Sequence, residues 1–454
     1  MSKHIPVETI QQWKARVLDV KSSTFCGAKW YHASMWLNAG VTTSCHHNPP
    51  HAIDREAIKT NPSALHNTDI KKHERGMLQR GEKPKNCQFC WVMEDIDPNN
   101  VSDRVWQSTV SSEESLQFAY EQSNEIDVAP HYLEVSFDPT CQLACSYCCP
   151  SISSSWARDV KQNGPYENLP TDHRNHYIYD GSDARLFGIK ETNPYAEAWF
   201  RWWDTDLHKS LKQLRITGGE PMMSPHTWRL LDWLAKNPNQ SQTRIEMTTN
   251  LTYDDDILDR FLDHASRIKQ PIWIYTSGES VGARAEYVRD GHSWEQWLKN
   301  VERVRTSGVI ENVSICGTMS AISNDGFVDF LHFLLDQKRL YGPNWMLMSV
   351  NLVRFPTFQN IVVLPMELRL EYAQEIEDFM TIPDVETLFV PFEKDHINRY
   401  VRYLRGVIKP HDDADTNIDA LRRDFRSFFE QYDQRRNKDF CATFPRLADW
   451  YRSL

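Results

Sequence analysis

The sequence predicts an α/β fold, a largely parallel sheet built from six β/α repeats, with a cysteine-bearing region before it and a helical region after it. Two observations carry this. Short β-rich runs recur at Tyr132–Phe137, Gln213–Thr217, Arg244–Thr248, Pro271–Tyr275, Asn312–Cys316 and Met346–Val350. Helical apolar spacing fills most of the gaps, at Trp228–Lys236, Asp255–Ile268, Trp294–Val304 and Phe327–Leu340. Six such units make either an open doubly wound sheet or an incomplete barrel.

The elements group into three parts. Residues 1–128 are polar and irregular, with four dispersed cysteines, and 129–380 hold the β/α repeats. Residues 381–454 are helical and charged and carry no chemical motif. About 150–210 is an insertion where one helix would suffice. It is aromatic-rich, with Trp156, Tyr166, His173, His176, Tyr177, Tyr179, Trp199, Trp202 and Trp203. It reads either as a packed surface insertion or as a lid over the C-terminal edge of the sheet.

Composition bounds the function. The chain has 454 residues, 40% hydrophobic and 25% charged, which is ordinary for a globular protein of two or three domains. Its 17 glycines fall well below the average of about 7%, and 16 tryptophans argue against low complexity. A net charge of -11 disfavours generic binding to nucleic-acid phosphate, and with it an RNA-modifying role. No run approaches the ~18 apolar residues of a membrane span. Met1–Ile10 lacks the pattern of a signal peptide, so the expected compartment is cytoplasmic.

The ten cysteines are the informative count. A cytosolic chain does not hold such residues as disulfides, and clustered ones read as metal or iron–sulfur ligands. Cys141-Gln-Leu-Ala-Cys145-Ser-Tyr-Cys148 follows the first predicted strand directly. Three thiolates this close can grip one iron–sulfur cluster and leave one iron open. A helical cysteine stripe has the same spacing, but Pro139 and Pro150 oppose a helix there.

This run resembles the motif of the radical SAM superfamily, Cys-x3-Cys-x2-Cys with an aromatic, here Tyr147, before the last cysteine. The second strand runs into Gly218-Gly219-Glu220-Pro221, which resembles the family's Gly-Gly-Glu-Pro strand end. The resemblance implies a partial (β/α)6 barrel in which Cys141, Cys145 and Cys148 ligate a [4Fe–4S] cluster. S-adenosylmethionine would bind the open iron, with its amino group at Gly218–Pro221. By the same resemblance Asn250 matches a Thr-Asn turn, Ser277 lies near the ribose and Arg289 near the carboxylate. Glu279 stands where the family usually has Asp. Asn351 and Arg354 end the sixth strand near the expected cavity.

A second constellation is Cys26-x13-Gly40-x4-Cys45, followed by Cys87-x2-Cys90. It resembles the Twitch and SPASM auxiliary-cluster domains, and Trp30 fits the Cys…Trp…Gly…Cys opening of twitch-domain radical SAM proteins. The family usually places this domain after the barrel; here it comes first. The implied cofactor is a second [4Fe–4S] cluster with all four corners filled. Zinc remains the alternative for these four cysteines, with His46, His47 or His51 able to replace one. Cys149, Cys316 and Cys441 lack partners in the pattern and read as packing residues, with Cys149 and Cys316 as alternative radical-relay thiols.

The resemblance implies a radical enzyme that cleaves S-adenosylmethionine reductively and takes hydrogen from a peptide or small metabolite. Its electrons would come from a donor such as flavodoxin or ferredoxin. The competing class is a non-catalytic iron–sulfur or zinc protein, an electron carrier or scaffold; the Gly-Gly-Glu-Pro strand end in register with the cysteine run speaks against it.

Overall fold

The computed structural model describes residues 8–97, 100–172, 177, 191–406 and 417–454. His173, His176 and Tyr179 of the insertion lie outside them. The chain packs as two compact units: Met1–Asp138, Leu186–Gly218 and Lys236–Ile245 in the first, Pro139–Arg185, Gly219–Ala235 and Glu246–Leu454 in the second.

Among the described residues the strands are β1 (His32–Trp36), β2 (Val41–Thr43), β3 (His51–Ala52), β4 (Tyr132–Ser136), β5 (Ala144–Cys145), β6 (Gln213–Thr217), β7 (Arg244–Thr249), β8 (Ile272–Ser277), β9 (Arg289–Asp290), β10 (Asn312–Met319) and β11 (Leu347–Leu352). The helices that matter below are α1 (Ala28–Tyr31), α2 (Asp69–Gln79), α3 (Gln88–Ile96), α4 (Ser154–Asn163), α5 (Pro194–Trp202), α6 (Pro225–Lys236), α7 (Asp255–Arg267), α8 (Trp294–Ser307), α9 (Phe327–Tyr341) and α10 (Ile418–Arg436). All six strands and four helices named from the sequence are present, with ends moved by a few residues.

In the first unit the strand order is β6-β4-β1-β2-β3. Leu133 of β4 lies opposite Ala33 of β1 on one side and Leu214 of β6 on the other, both pairings parallel. The sequence pattern marks no strand before residue 132, so β1 is an addition. Four of its five residues, including His32 and Ser34, are buried, which removes the alternation by which a strand is read. The tryptophans of α5 are core: Trp199 meets Phe137 edge-on at 5.1 Å and stacks on Trp203 at 5.2 Å. Asn193 caps that helix through Oδ1, with Pro194 at its first position.

In the second unit the order is β11-β10-β8-β7, and β10 pairs parallel with both β8 and β11. Ser293 caps α8, and Gly308 closes it at φ 67°. Trp156 of α4, Tyr166 and Tyr177 pack against Phe428 and Tyr432 of α10, with ring centroids 4.7–6.3 Å apart. The described aromatics of the insertion are therefore buried in hydrophobic interior. No helix among the described residues is long and apolar enough to cross a membrane.

Candidate functional site

The three-cysteine loop lies wholly in the second unit and is tied down by its own backbone. β5 pairs antiparallel with β9, so that Cys145 faces Arg289. Cys148 N donates to Cys145 O at 2.9 Å, closing a turn. Three serines at the start of α4 fold back on the loop: Ser153 donates to Leu143 O, and Ser154 and Ser155 donate to Cys141 O. Trp156 Nε1 donates to Cys145 O, and Tyr177 OH and Gln359 Nε2 both donate to Ser146 O, each at 2.8 Å. From α10, Tyr432 OH reaches Ala144 O at 3.4 Å. The carbonyls of Cys141, Leu143, Ala144, Cys145 and Ser146 thus have partners within the second unit.

Burial pushes the Cys141 thiol up to about 12 and raises Cys145 and Cys148 as well. The three thiols also raise one another: Cys145 acts on Cys141, and both act on Cys148. Such thiols ionise only when a cation is supplied. Among the described residues no group of three or more His, Cys, Asp or Glu side chains is drawn together tightly enough to hold a single metal ion.

Gly218 and Gly219 are required by close backbone crossings. A Cβ at Gly219 would lie 2.4 Å from Thr140 O and 2.6 Å from Pro139 O, and Gly218 has φ 128°. Glu220 N donates to Thr140 O at 2.6 Å, fastening this turn to the start of the cysteine loop. The Glu220 carboxylate is spent on protein. It accepts from Thr249 Oγ1 at 2.7 Å, Asn250 N at 2.8 Å and Met222 N at 3.2 Å. Burial pushes it up to about 7, against the pull of those donors. Glu220 therefore braces the end of β7 to its own turn, and Pro221 is buried at the start of the next 3-10 turn. Asn250 continues the brace, its Oδ1 accepting from Thr252 N and from Gln142 Nε2 of the cysteine loop.

Arg289 makes a two-pronged buried pair with Glu279, Nε to Oε1 at 3.0 Å and Nη2 to Oε2 at 2.7 Å. Its Nη1 lies 3.8 Å from Cys145 Sγ, and its guanidinium sits 5.6 Å from the Tyr147 ring centroid. Tyr147 OH donates to Glu279 Oε1 at 3.4 Å. Glu279 is thus the partner of Arg289. Ser277 ends β8 opposite Cys316. Cys316 Sγ is 3.7 Å from Ser349 Oγ, and Cys149 Sγ is 2.9 Å from Ser151 Oγ. Asn351 and Arg354 are exposed, and Asn351 Nδ2 reaches Gly317 O at 3.4 Å. Cys441 sits partly buried on a short helix, Phe440–Thr443.

In the first unit Cys26, Cys45, Cys87 and Cys90 line one pocket, together with Lys29 and His47. Cys26 precedes α1, Cys45 follows β2, and Cys87 and Cys90 flank the start of α3. Burial pushes Cys26 up to about 12 and Cys90 to about 11, and raises Cys45. Of the three candidate histidines only His47 lines the pocket, stacked on Phe89 at 3.6 Å and bonded to Asp103. His51 is hydrogen-bonded to Thr68, and His46 is exposed. Trp30 is a core residue against Phe25, and Gly40 has φ 63° with Tyr195 against it. Sequence reasoning missed Lys29, which a charged residue inside a four-residue helix does not announce.

Residues 135–334 match the family model described as the Radical SAM superfamily. Among solved structures, the chain is 14% identical to Streptococcus suis SuiB bound to S-adenosylmethionine, covering 76% of this chain and 68% of that one, with a TM-score of 0.36. It is 13% identical to native anSMEcpe with bound AdoMet, covering 53% and 57%, with a TM-score of 0.34. Spore photoproduct lyase follows at 12% identity, 58% and 71% coverage and a TM-score of 0.29. No curated protein matches. The chain thus carries, over residues 135–334, a Radical SAM superfamily domain.

Proposed function

We propose that the chain is a radical enzyme acting through a [4Fe–4S] cluster held by Cys141, Cys145 and Cys148, with S-adenosylmethionine at its open iron. The observation that carries this is the fastening of the three-thiol loop to the Gly219–Glu220 turn through Glu220 N and Thr140 O. The site also fits a polar cofactor. Gln142 Oε1, Ser146 Oγ and Ser280 Oγ are buried without a partner among the described residues, and such atoms are costly unless something bonds them. When bound, the cluster and S-adenosylmethionine would supply one-electron cleavage of a sulfonium C–S bond and, through it, hydrogen abstraction from an unactivated C–H bond.

The chain's own residues prepare the site. Gly219 lets its turn cross the backbone that opens the cysteine loop. Glu220 holds the end of β7 to its own turn, and Asn250 holds it to the cysteine loop. Arg289 and Glu279 fix Tyr147 beside Cys145. Ser277 is proposed at the ribose edge.

The finer reading is a cytoplasmic enzyme with a Twitch-like auxiliary-cluster domain over 1–128, the catalytic domain over 129–380 and a helical region over 381–454. Cys26, Cys45, Cys87 and Cys90 would hold the second [4Fe–4S] cluster. The substrate class is a peptide or small metabolite, and the electron donor is of the flavodoxin or ferredoxin kind.

The test is anaerobic reconstitution with iron and sulfide, then S-adenosylmethionine and a strong reductant. The expected product is 5′-deoxyadenosine, absent in Cys148→Ala, with about eight irons per chain from two four-iron sites. Iron without cleavage of S-adenosylmethionine would leave an electron carrier; four irons plus one zinc would remove the auxiliary cluster.

A further inference from the structure

Beneath the four-cysteine pocket lies an unusual accumulation of buried positive charge. Lys29 is one turn beyond Cys26, is 2% exposed and lines the pocket. Lys71 and Arg75 of α2 are both fully buried. On α2, Lys71, Glu74 and Arg75 fall at i, i+3 and i+4, so they share one face. Glu74 is the carboxylate there, with Oε2 2.5 Å from Lys29 Nζ and Oε1 accepting from Asn86 Nδ2. Lys71 Nζ rests on Thr42 Oγ1 at 2.9 Å and on His66 Nδ1 at 3.4 Å. Arg75 donates to Lys29 O at 3.1 Å and to Asn67 Oδ1 at 3.0 Å. Among the described residues neither Lys71 nor Arg75 has a carboxylate at ion-pair distance; Glu74 answers Lys29, Asp127 acts on Arg75 from farther off, and Lys71 is left with neutral partners.

Burying a charge without a partner costs several kcal/mol. Burial pushes the Lys71 ammonium well down, and the neighbouring Arg75 and Lys29 push the same way; Glu74 and Cys45 oppose them. The missing anion has an evident place. Lys29 is coupled to Cys87 and Cys45, and Lys71 to Cys45. Four free thiols are neutral, so they cannot answer this charge. A four-iron core held by four thiolates carries a net charge of about -2 when oxidised and one unit more when reduced.

We propose that Lys29 and Lys71 are the counter-charge of a four-thiolate iron–sulfur centre at Cys26, Cys45, Cys87 and Cys90, and that Lys29 raises its reduction potential. This rests on the reading of that site as an auxiliary cluster. The redox step is addition of one electron to the oxidised centre, taken in the test from an added chemical reductant. Cations at this distance stabilise the more negative, reduced form. Lys29 acts as a positioning and tuning residue, not as a ligand.

The experiment uses the full chain with Cys141, Cys145 and Cys148 changed to Ala, so that any remaining cluster signal comes from the first unit. Iron and zinc content are measured, and the midpoint is followed by electron paramagnetic resonance during a redox titration. Lys29→Met is expected to keep about four irons and to lower the reduction equilibrium constant about tenfold, about 59 mV for one electron. Lys71→Met is expected to shift the midpoint in the same direction, and Lys29→Arg to hold the parent value. An unchanged midpoint in both methionine variants overturns the proposal while leaving the auxiliary cluster standing. If Lys29→Met loses its iron, recovery in Lys29→Arg supports the counter-charge, and loss in both variants assigns Lys29 to packing and overturns it. Zinc in place of iron in the parent overturns the cluster reading and the proposal with it.

Discussion

Replacing Glu220 with Gln should remove a pH dependence that the wild-type fold carries. The carboxyl is 2% exposed, and burial lifts it from its ordinary 4.5 to about 7. The folded state therefore binds a proton that the unfolded state has already released between these two values. Stability from this group is fully present below pH 4.5 and is lost as pH rises through 7. Two and a half pH units at 1.36 kcal/mol each amount to about 3 kcal/mol. Glu220→Gln cannot titrate, so the stability difference between wild type and variant should shrink by about 3 kcal/mol from pH 4.5 to 8. The variant itself faces an amide toward Asn250 N or Thr249 Oγ1, a lost bond to a buried donor costing about 1–3 kcal/mol. Urea unfolding of metal-free protein at four pH values, followed by circular dichroism, reads both. Parallel stability curves for the two proteins across that range would refute the reasoning.

Three further outcomes follow from the geometry. Gly219→Ala puts a Cβ 2.4 Å from Thr140 O, where only backbone can give way; it should lose the iron of the second unit and the cleavage of S-adenosylmethionine, read by iron analysis and chromatography. Arg289→Met leaves Glu279 buried and unpaired at a cost of about 3–5 kcal/mol, seen as a lower melting temperature, and Arg289→Met with Glu279→Met should recover much of it. Tyr432→Phe removes the hydroxyl from Tyr287 O and Ala144 O, a loss of about 1 kcal/mol, with slower cluster assembly measured by absorbance during reconstitution.

The repeats of the sheet were readable because their strands are short β-rich runs that alternate in burial, as in Gln213–Thr217 and Ile272–Ser277, and because α7 and α8 keep helical spacing between them. β1 was not, since His32 and Ser34 are buried and imitate a loop. The motif cysteines announced themselves by spacing, whereas their supports are distant. Nothing near Arg289 says that Glu279 will take its charge, and nothing at Tyr432 points to residue 144. Nothing in the charged run Lys71-Lys72-His73-Glu74-Arg75 says that tertiary packing will bury Lys71, Glu74 and Arg75. The tryptophans of the insertion left a packed helix and a substrate wall both open, and in the structure they fill the interior.

The bond from Tyr432 to Ala144 spans 288 positions of chain. Protein synthesis delivers the cysteines long before this support, at about 5–20 residues per second, so the loop spends its first tens of seconds without it. Iron delivered in that interval would meet thiols on an unbraced segment. On the proposed two-cluster reading, maturation of the second unit is tied to release of α10, and a ribosome-stalled chain ending before residue 418 should take up iron at its first four cysteines only.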